Sequence, residues 1–374
     1  MARAVLLTAL VIVSVWLALV YLYLSPTSTS ALAAPSLSNV AAVKTLANGA
    51  LVDIRGLVAS GRVADSERRA LEASQRGQWH AIVTLVTQRE YLVGAYGLGA
   101  SLRAVGTTYA TVACLPGDLA AYDAVLRNLS IAGFDYVRVV ERLGNPAKQI
   151  GRLHQAHKVD VFTKLRVFQL TEFARVLYLD ADTVAKRNVD SLLALPHEFA
   201  VAPEVTPMWR CIDEKHFIFR DELQGEDWCH GHTRELYHGR MIKLSNTGVM
   251  LLTPSSQTFD ELWALTLDEL THNDTCIGMA GCNDQRVINV YYDQRPYRQL
   301  SVLYNVFCDQ FSQGNFSVFR HHKPFVFHYR GQASFKPWIL RPGSPRESWN
   351  DECGAFVNAY DQFLKLHKAA SAHR

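Results

Sequence analysis

Apolar and polar residues alternate along the middle of the chain in blocks of two lengths. Short apolar runs with strand character predict strands at 80–86, 108–115, 135–140 and 175–179, and longer stretches with helical spacing predict helices at 89–105, 118–133 and 161–173. Strands that alternate with helices of this length pair in parallel through right-handed crossovers. The pattern therefore predicts an α/β fold, with a doubly wound, mostly parallel sheet and helices on both faces.

One apolar block near the start of the chain is too long for a strand of this sheet. Residues 5–24 are twenty consecutive residues without a charge, which is the length that a helix needs to cross a bilayer. A cleaved signal peptide has a shorter apolar stretch of about 7–15 residues. We therefore predict a transmembrane signal anchor, although Ala31-Leu32-Ala33 resembles a cleavage site and keeps the cleaved alternative open.

The anchor sets the predicted organisation and location of the rest of the chain. Arg3 precedes the apolar run, which places a short tail, 1–4, in the cytosol and the remainder in the lumen of the Golgi or another secretory compartment. The predicted lumenal parts are a stem at 25–75, rich in small and polar residues, a catalytic domain at 76–345, and a C-terminal helix within 346–374. Aromatic residues on one face of that helix predict that it packs on the domain.

Composition narrows the class of protein. The chain has 374 residues, 49% of them hydrophobic, and a net charge of +3, which argues for a folded protein and gives no reason to expect nucleic acid as a partner. The seven cysteines include no pair at CxxC spacing, which argues against structural zinc and favours one or two disulfides with an odd thiol. Asn128, Asn273 and Asn315 would be glycosylation acceptors in a lumenal protein.

Two aspartates follow directly on the strand predicted at 175–179. Asp180 and Asp182 should lie at the rim where ligands of open parallel sheets bind. Carboxylates this close repel each other unless a cation, a shared proton or solvent relieves them. A divalent ion such as Mg²⁺ or Mn²⁺ would do so. The alternatives are a solvated turn and a phosphatase of the haloacid-dehalogenase type, with Asp180 as nucleophile and Asp182 as general acid. Phosphatases of this type carry the motif on the first strand of the core domain, whereas at least three strands precede it here.

Three later segments add polar residues in positions that suit one site. A strand is entered through Asn-Thr-Gly at 246–248, a helix begins at the Asp-Gln pair 284–285, and a strand at 325–328 leads into a loop that ends at 338. Each segment alone can be explained by an ordinary structural role, as a turn, a helix cap, a core histidine or a surface charge. Together, and after a strand-borne pair of aspartates, they predict a third metal ligand, groups that contact a sugar, and a cation for a diphosphate.

These motifs, in this order, resemble those of the glycogenin-like members of glycosyltransferase family 8, over about 81–338 of the chain. The resemblance implies a GT-A-type fold, a Mn²⁺ cofactor, and transfer of a hexosyl unit from a UDP-sugar to a lipid or glycan acceptor with retention of configuration. It implies nucleotide contacts at Leu85, Thr87 and Tyr91, a donor contact at Lys164, metal ligands at Asp180, Asp182 and His328, and further donor contacts at Ala181, Asn246, Thr247, Gly248, Asp284, Gln285, Gly331 and Lys336.

Two of these residues carry the implied chemistry. Lys336, on a C-terminal loop, would balance the charge that grows on the departing UDP, and Asp284 would orient the sugar or stabilise its cationic transition state. The chain departs from the family at Gly281, where an acid is usual, and at Cys282 and Asn283, where glycines are usual. A pseudoenzyme that binds a sugar nucleotide or a glycan without turnover is therefore the second hypothesis.

Overall fold

The computed structural model of the protein describes residues 49–56, 79–146, 160–204, 234–237, 240–272, 283–308, 323–330, 336–338 and 355–372. All of them belong to one compact unit that extends over Asn39–Arg374. The predicted anchor at 5–24 lies outside the described residues, and so does Gly331. Among the helices of the described part, none combines the length and the apolar character that a membrane span requires.

The described strands form a main sheet, a small sheet and a hairpin. In chain order they are β1 (Leu51–Asp53), β2 (His80–Leu85), β3 (Ala110–Pro116), β4 (Tyr136–Val140), β5 (Arg175–Leu179), β6 (Thr183–Ala185), β7 (Phe199–Pro203), β8 (Arg234–Tyr237), β9 (Arg240–Lys243), β10 (Ser245–Leu252), β11 (Arg298–Gln299), β12 (Val306–Phe307) and β13 (Val326–His328). The main sheet has the order β1-β4-β3-β2-β5-β10-β7-β11.

The main sheet is mixed, and the predicted parallel arrangement describes only part of it. Strands β4, β3, β2 and β5 are parallel neighbours, whereas β10 runs antiparallel to both β5 and β7. Parallel neighbours need a crossover connection, which is usually helical. The described residues between β7 and β10 form the hairpin of β8 and β9 instead of a helix, and β10 runs back between its neighbours. At the other edge β1, which lies within the predicted stem, pairs antiparallel with β4.

The helices flank this sheet. They are α1 (Leu92–Ala104), α2 (Gly117–Ala120), α3 (Asp123–Ala132), α4 (Ser256–His272), α5 (Asp284–Asp293) and α6 (Ala355–Ala372), with 3₁₀ helices at Arg89–Tyr91, Val161–Gln169, Asp190–Ala194 and Val302–Tyr304. The single helix predicted at 118–133 is divided into α2 and α3, because Tyr122 is extended and precedes the first turn of α3.

The predicted α-helix at 161–173 is a 3₁₀ helix over Val161–Gln169. Its apolar side chains explain the difference. Phe162, Leu165 and Phe168 are fully buried and spaced by three residues. A 3₁₀ helix has three residues per turn, so this spacing aligns the three side chains on one face.

Strand β5 shows why the sheet is covered on both faces. Val176 and Tyr178 pack in one core cluster with α4 and α5, and Leu177 and Leu179 pack in another with α1. Every residue in this run is buried, as expected for a strand between two helical layers. The predicted helices on both faces are thus confirmed.

The small sheet brings the C-terminal part of the chain to the main one. Its order is β12-β13-β6, and β13 pairs antiparallel with β6 so that His328 lies opposite Thr183. Since β6 begins immediately after Asp182, this register places His328 beside the two aspartates.

The last helix and the cysteines complete the description. Phe363 of α6 stacks on Tyr96 of α1, with ring centroids 4.8 Å apart. Cys114 and Cys308 are buried, and the other cysteines lie outside the described residues, as do the sequons at Asn273 and Asn315; Asn128 lies in α3.

Candidate active site

The two aspartates occupy a tight turn between β5 and β6. The backbone N–H of Asp180 donates to the carbonyl of Gly248 at 2.8 Å, and the hydroxyl of Thr183 donates to the carbonyl of Asp180 at 2.7 Å. These bonds tie the turn to β10 and to itself. Asp182 and the intervening Ala181 are buried, whereas Asp180 is partly exposed.

The three residues predicted as metal ligands come together. One ligand atom from each of Asp180, Asp182 and His328 lies within 4.8 Å of the others. His328 Nε2 is 3.4 Å from a carboxylate oxygen of Asp182 and 3.9 Å from one of Asp180. Two carboxylates and an imidazole are a donor set that can hold a divalent metal ion, so these residues fit a cation of the kind that the resemblance implies.

Gly248 makes room for this arrangement. A Cβ atom at this position would lie 2.4 Å from Cε1 of His328 and 2.7 Å from its Nδ1. Such separations are far shorter than carbon contacts allow, so a side chain at 248 would displace the imidazole.

Lys336 lies against the metal-ligand cluster. Its ammonium pairs with Asp182 and donates to the carbonyl of Tyr329 at 2.8 Å. Burial lowers the pKa of Lys336, but the charge and hydrogen bond of Asp182, together with the charges of Tyr91 and Asp180, outweigh burial and raise the pKa above the usual lysine value. Burial raises the pKa of Asp182, but Lys336 and His328 outweigh it and hold this pKa well below its usual range. Both groups of the pair are therefore charged at neutral pH.

Lys164 bridges the aspartate turn and the start of α5. Its Nζ lies 2.9 Å from Asp180 Oδ1 and 3.0 Å from Asp284 Oδ2. Burial lowers the pKa of Lys164, but the two carboxylates outweigh it and raise the pKa above the usual value. Tyr178 donates its hydroxyl to Asp180 Oδ1 at 2.7 Å. Asp180 is thus oriented from two sides before any ligand binds.

The residues predicted to contact the sugar hydrogen-bond to one another and to Glu204. Thr247 donates its hydroxyl to Asp284 Oδ2 and its backbone N–H to Gln285 Oε1, both at 3.4 Å. The amide of Asn246 donates to Glu204 at 2.7 Å. Asn283, not Asp284, caps α5 by accepting the backbone N–H of Arg286. The alternative interpretation of Asp284 as a helix cap is therefore wrong.

The predicted nucleotide contacts lie at the end of β2 and in the turn after it. Leu85 ends β2, and the carbonyl of Thr87 accepts a hydrogen bond from Arg142. The ring of Tyr91 has Lys336 Nζ 5.4 Å from its centroid and meets Trp338 edge-on at 5.8 Å. Tyr91 therefore joins the predicted nucleotide side of the site to the loop that carries Lys336.

The structure also places residues in the site that sequence reasoning missed. Glu204 lies directly after β7 and contacts Asn246 and Gln285, and Asn305 hydrogen-bonds His328. Glu204 carried a usable signal, because it follows a buried strand at the rim just as Asp180 does. Asn305 carried none, since nothing in its neighbourhood distinguishes it from a residue of an ordinary loop.

The sequence of this chain matches a known protein family. Residues 82–340, more than half of the chain, match the model described as glycosyl transferase family 8. The chain belongs to glycosyl transferase family 8. Membership of a glycosyltransferase family contradicts the phosphatase hypothesis.

Curated relatives of this family 8 chain include a fungal and a plant protein. It is 28% identical over 288 residues to glycogenin of Neurospora crassa, which covers 75% of this chain and 35% of that protein. It is 25% identical over 281 residues to inositol phosphorylceramide glucuronosyltransferase 1 of Arabidopsis thaliana, which covers 69% of this chain and 42% of that protein. The chain thus spans less than half the length of either relative.

A solved structure shows the same architecture. An active-site mutant of LgtC is similar at a TM-score of 0.50 with 16% identity, over 75% of this chain and 94% of that chain. This family 8 chain therefore has a GT-A-like glycosyltransferase fold, a mixed sheet with flanking helices.

Proposed function

We propose that the protein is a retaining, Mn²⁺-dependent glycosyltransferase that moves a hexosyl unit from a UDP-sugar to a lipid or glycan acceptor. The observation that carries this proposal is the convergence of Asp180, Asp182 and His328 with two lysines, the partly buried Lys164 and the buried Lys336, at one rim of the sheet. Together these residues offer a metal site and positive charge next to a place where a diphosphate would lie.

The proposed donor site divides its work among charged groups. Asp180, Asp182 and His328 would hold Mn²⁺, which when bound supplies Lewis-acid stabilisation to the diphosphate. Lys336 would place its ammonium where negative charge grows as UDP departs. Because Lys336 is only 4% exposed, its charge is weakly screened and acts more strongly than it would in water.

Asp284 and its neighbours would orient the transferred sugar. The carboxylate of Asp284 is held by Lys164 at 3.0 Å and by Thr247 at 3.4 Å. A carboxylate that is fixed in this way suits electrostatic stabilisation of an oxocarbenium-like transition state better than it suits attack on the sugar. Retention then follows if the acceptor enters on the face from which UDP leaves.

The names of the relatives guide the choice of substrates to test. The Arabidopsis relative is named an inositol phosphorylceramide glucuronosyltransferase, and the Neurospora relative is named glycogenin. With the apolar segment 5–24 as an anchor, we propose a single-pass protein of the secretory pathway whose catalytic domain faces the lumen. UDP-glucuronic acid and membrane lipids therefore belong in the panel beside UDP-glucose and glycans.

The test is a donor screen on the full chain. Hydrolysis of UDP-glucose, UDP-galactose, UDP-glucuronic acid and UDP-N-acetylglucosamine would be measured with Mn²⁺ and with a chelator, and the best donor would then be offered to lipid and glycan acceptors. We expect turnover only with a divalent ion. Because losing an outer-shell partner of a metal costs about 10–100-fold, losing a ligand through Asp182→Asn should cost more than about 100-fold.

The matched control is Asp190→Asn, which makes the same chemical change where the carboxylate binds Thr107 and Thr108, outside the site. Full activity of Asp182→Asn would contradict the proposal. Binding of UDP without turnover over the whole panel would support the pseudoenzyme instead.

A further inference from the structure

A chain of buried side chains runs behind the metal-ligand cluster. It links Glu204, Asn246, Asn305 and His328, which come from the end of β7, the start of β10, the residue before β12 and the end of β13. None is more than 7% exposed, and Asn305 is fully buried. Water therefore has little part in setting their hydrogen bonds, and the donors and acceptors must match among themselves.

The direction of the first amide follows from two groups whose roles are unambiguous. Asn246 meets a carboxylate oxygen of Glu204 at 2.7 Å and the backbone N–H of Gly248 at 3.0 Å. An ionised carboxylate only accepts hydrogen bonds and a backbone N–H only donates. Asn246 must therefore present its NH₂ group to Glu204 and its oxygen to Gly248.

The second amide follows from the first. Asn305 Nδ2 lies 2.8 Å from the side-chain oxygen of Asn246 and 3.4 Å from its backbone carbonyl, and both are acceptors. The remaining atom of the Asn305 amide, Oδ1, therefore faces the imidazole of His328, with 2.9 Å between Oδ1 and Nδ1. Because this oxygen can only accept, the proton must lie on Nδ1 of His328.

In a neutral imidazole with the proton on Nδ1, Nε2 has a free lone pair. Nε2 is also the nitrogen that faces Asp180 and Asp182, at 3.9 and 3.4 Å. We propose that Asn305 is a positioning residue, which acts with Asn246 and Glu204 to hold His328 in the Nδ1–H tautomer and to direct Nε2 at the divalent ion. This inference rests on the metal site of the proposed function.

The proposal explains why a polar side chain is fully buried at position 305. A buried amide costs free energy unless each of its groups finds a partner. A hydrogen bond from the outer nitrogen of a metal-binding histidine fixes both the tautomer and the ring orientation. Arg330 pairs with the other oxygen of Glu204 at 2.7 Å and so holds the far end of the chain of side chains in place.

The first measurement needs no metal and no activity. ¹⁵N spectra of the full chain, labelled at histidine and assigned with His328→Gln, distinguish a protonated ring nitrogen from an unprotonated one. We expect Nδ1 of His328 to carry a proton that is held in the hydrogen bond to Asn305. An unprotonated Nδ1 in the wild-type protein would overturn the proposal, whatever any variant shows.

The second measurement is Mn²⁺ affinity, followed by the electron paramagnetic resonance of the free ion. Asn305→Leu should weaken binding by about 10–100-fold. Asn305→Asp should weaken it less, because it keeps an oxygen facing Nδ1, although its second oxygen meets the acceptor oxygens of Asn246. The control is Asn289→Leu, which removes another buried amide whose partners are the backbone N–H and carbonyl of Ser245. It should leave Mn²⁺ affinity unchanged.

The results separate the two proposals. Wild-type affinity in Asn305→Leu, or equal losses in Asn305→Leu and Asn305→Asp, would overturn the role of Asn305. A wild-type protein that does not bind Mn²⁺ but carries the proton on Nδ1 would overturn the metal site of the proposed function, while the tautomer assignment would be supported.

Discussion

Each of the two aspartates contacts a lysine, Asp180 contacting Lys164 and Asp182 contacting Lys336, yet the lysines come from different kinds of segment. Lys164 lies in the 3₁₀ helix Val161–Gln169, whose apolar residues belong to the largest core cluster beneath the main sheet. Lys336 lies in the stretch 336–338, and its ammonium is held by Asp182 and by the carbonyl of Tyr329. The core therefore fixes the position of one charge, and the site itself fixes the position of the other.

This difference suggests a division of labour. A charge anchored in the core serves to keep carboxylates together in the folded protein, because it cannot follow a ligand. A charge anchored by the site can exchange its partners when a diphosphate arrives. The two lysines should therefore affect different measurements when each is removed.

The largest effect is expected from Lys164→Met and should appear in stability. Lys164 is the cation between Asp180 and Asp284, so Lys164→Met removes the positive charge that both carboxylates contact. Removing one partner of a buried ion pair costs about 3–5 kcal/mol in the free energy of unfolding. Denaturant unfolding without metal would measure this, with the exposed Lys186→Met as control. Wild-type stability in Lys164→Met would remove the distinction between the lysines.

The next effect is expected from Lys336→Met and should appear in turnover. Losing one group that stabilises transition-state charge costs about 10²–10³-fold in kcat. The affinity for UDP should change much less, because the ion and Lys164 remain. The free energy of unfolding should also fall less than in Lys164→Met, since Lys336 pairs with one carboxylate and Lys164 with two. Turnover kinetics and UDP titration would check the split, and an unchanged kcat would exclude this role for Lys336.

The smallest effect is expected from Gly94→Ala, which probes how the Lys336 segment is seated. A Cβ atom at Gly94 would lie 2.4 Å from the carbonyl oxygen of Ala181 and 2.7 Å from the ring of Trp338. Overpacking of this kind costs about 1–3 kcal/mol in the free energy of unfolding.

The effect of Gly94→Ala on kcat should resemble a weak form of Lys336→Met, because Trp338 lies two residues beyond the lysine. Gly117→Ala is the matched control, since its Cβ would approach Val139 only to 3.9 Å. Thermal unfolding and turnover of both variants would be compared. Equal behaviour of the two variants would show that the segment does not depend on this contact.

Much of the fold was predictable because burial leaves a mark on the sequence. Runs such as Val176–Leu179 are apolar at every position, since helices cover both faces of the sheet. The direction of β10 was not predictable in this way. Its eight residues are all buried, and an apolar run looks the same whether its strand is parallel or antiparallel.

The site divides in the same manner. Asp180, Asp182 and Asp284 lie where a strand or helix ends or begins, so the predicted pattern of strands and helices identified them as candidates. Asn305 is defined by what it meets in space, namely Asn246 and His328. Hydrogen bonds between residues far apart in sequence leave no periodic trace, and such partners can be found only from the structure.

The close approach of Gly248 and His328 carries a consequence for comparing sequences of this family. Because Gly248 has no side chain, the imidazole of His328 can occupy the space beside it, and glycine and histidine should therefore occur together at these two positions. A relative that has lost the histidine is released from the need for glycine, and a larger residue at the first position implies a displaced ring at the second. The residues at these two positions, compared together, should indicate which family members no longer bind a metal ion.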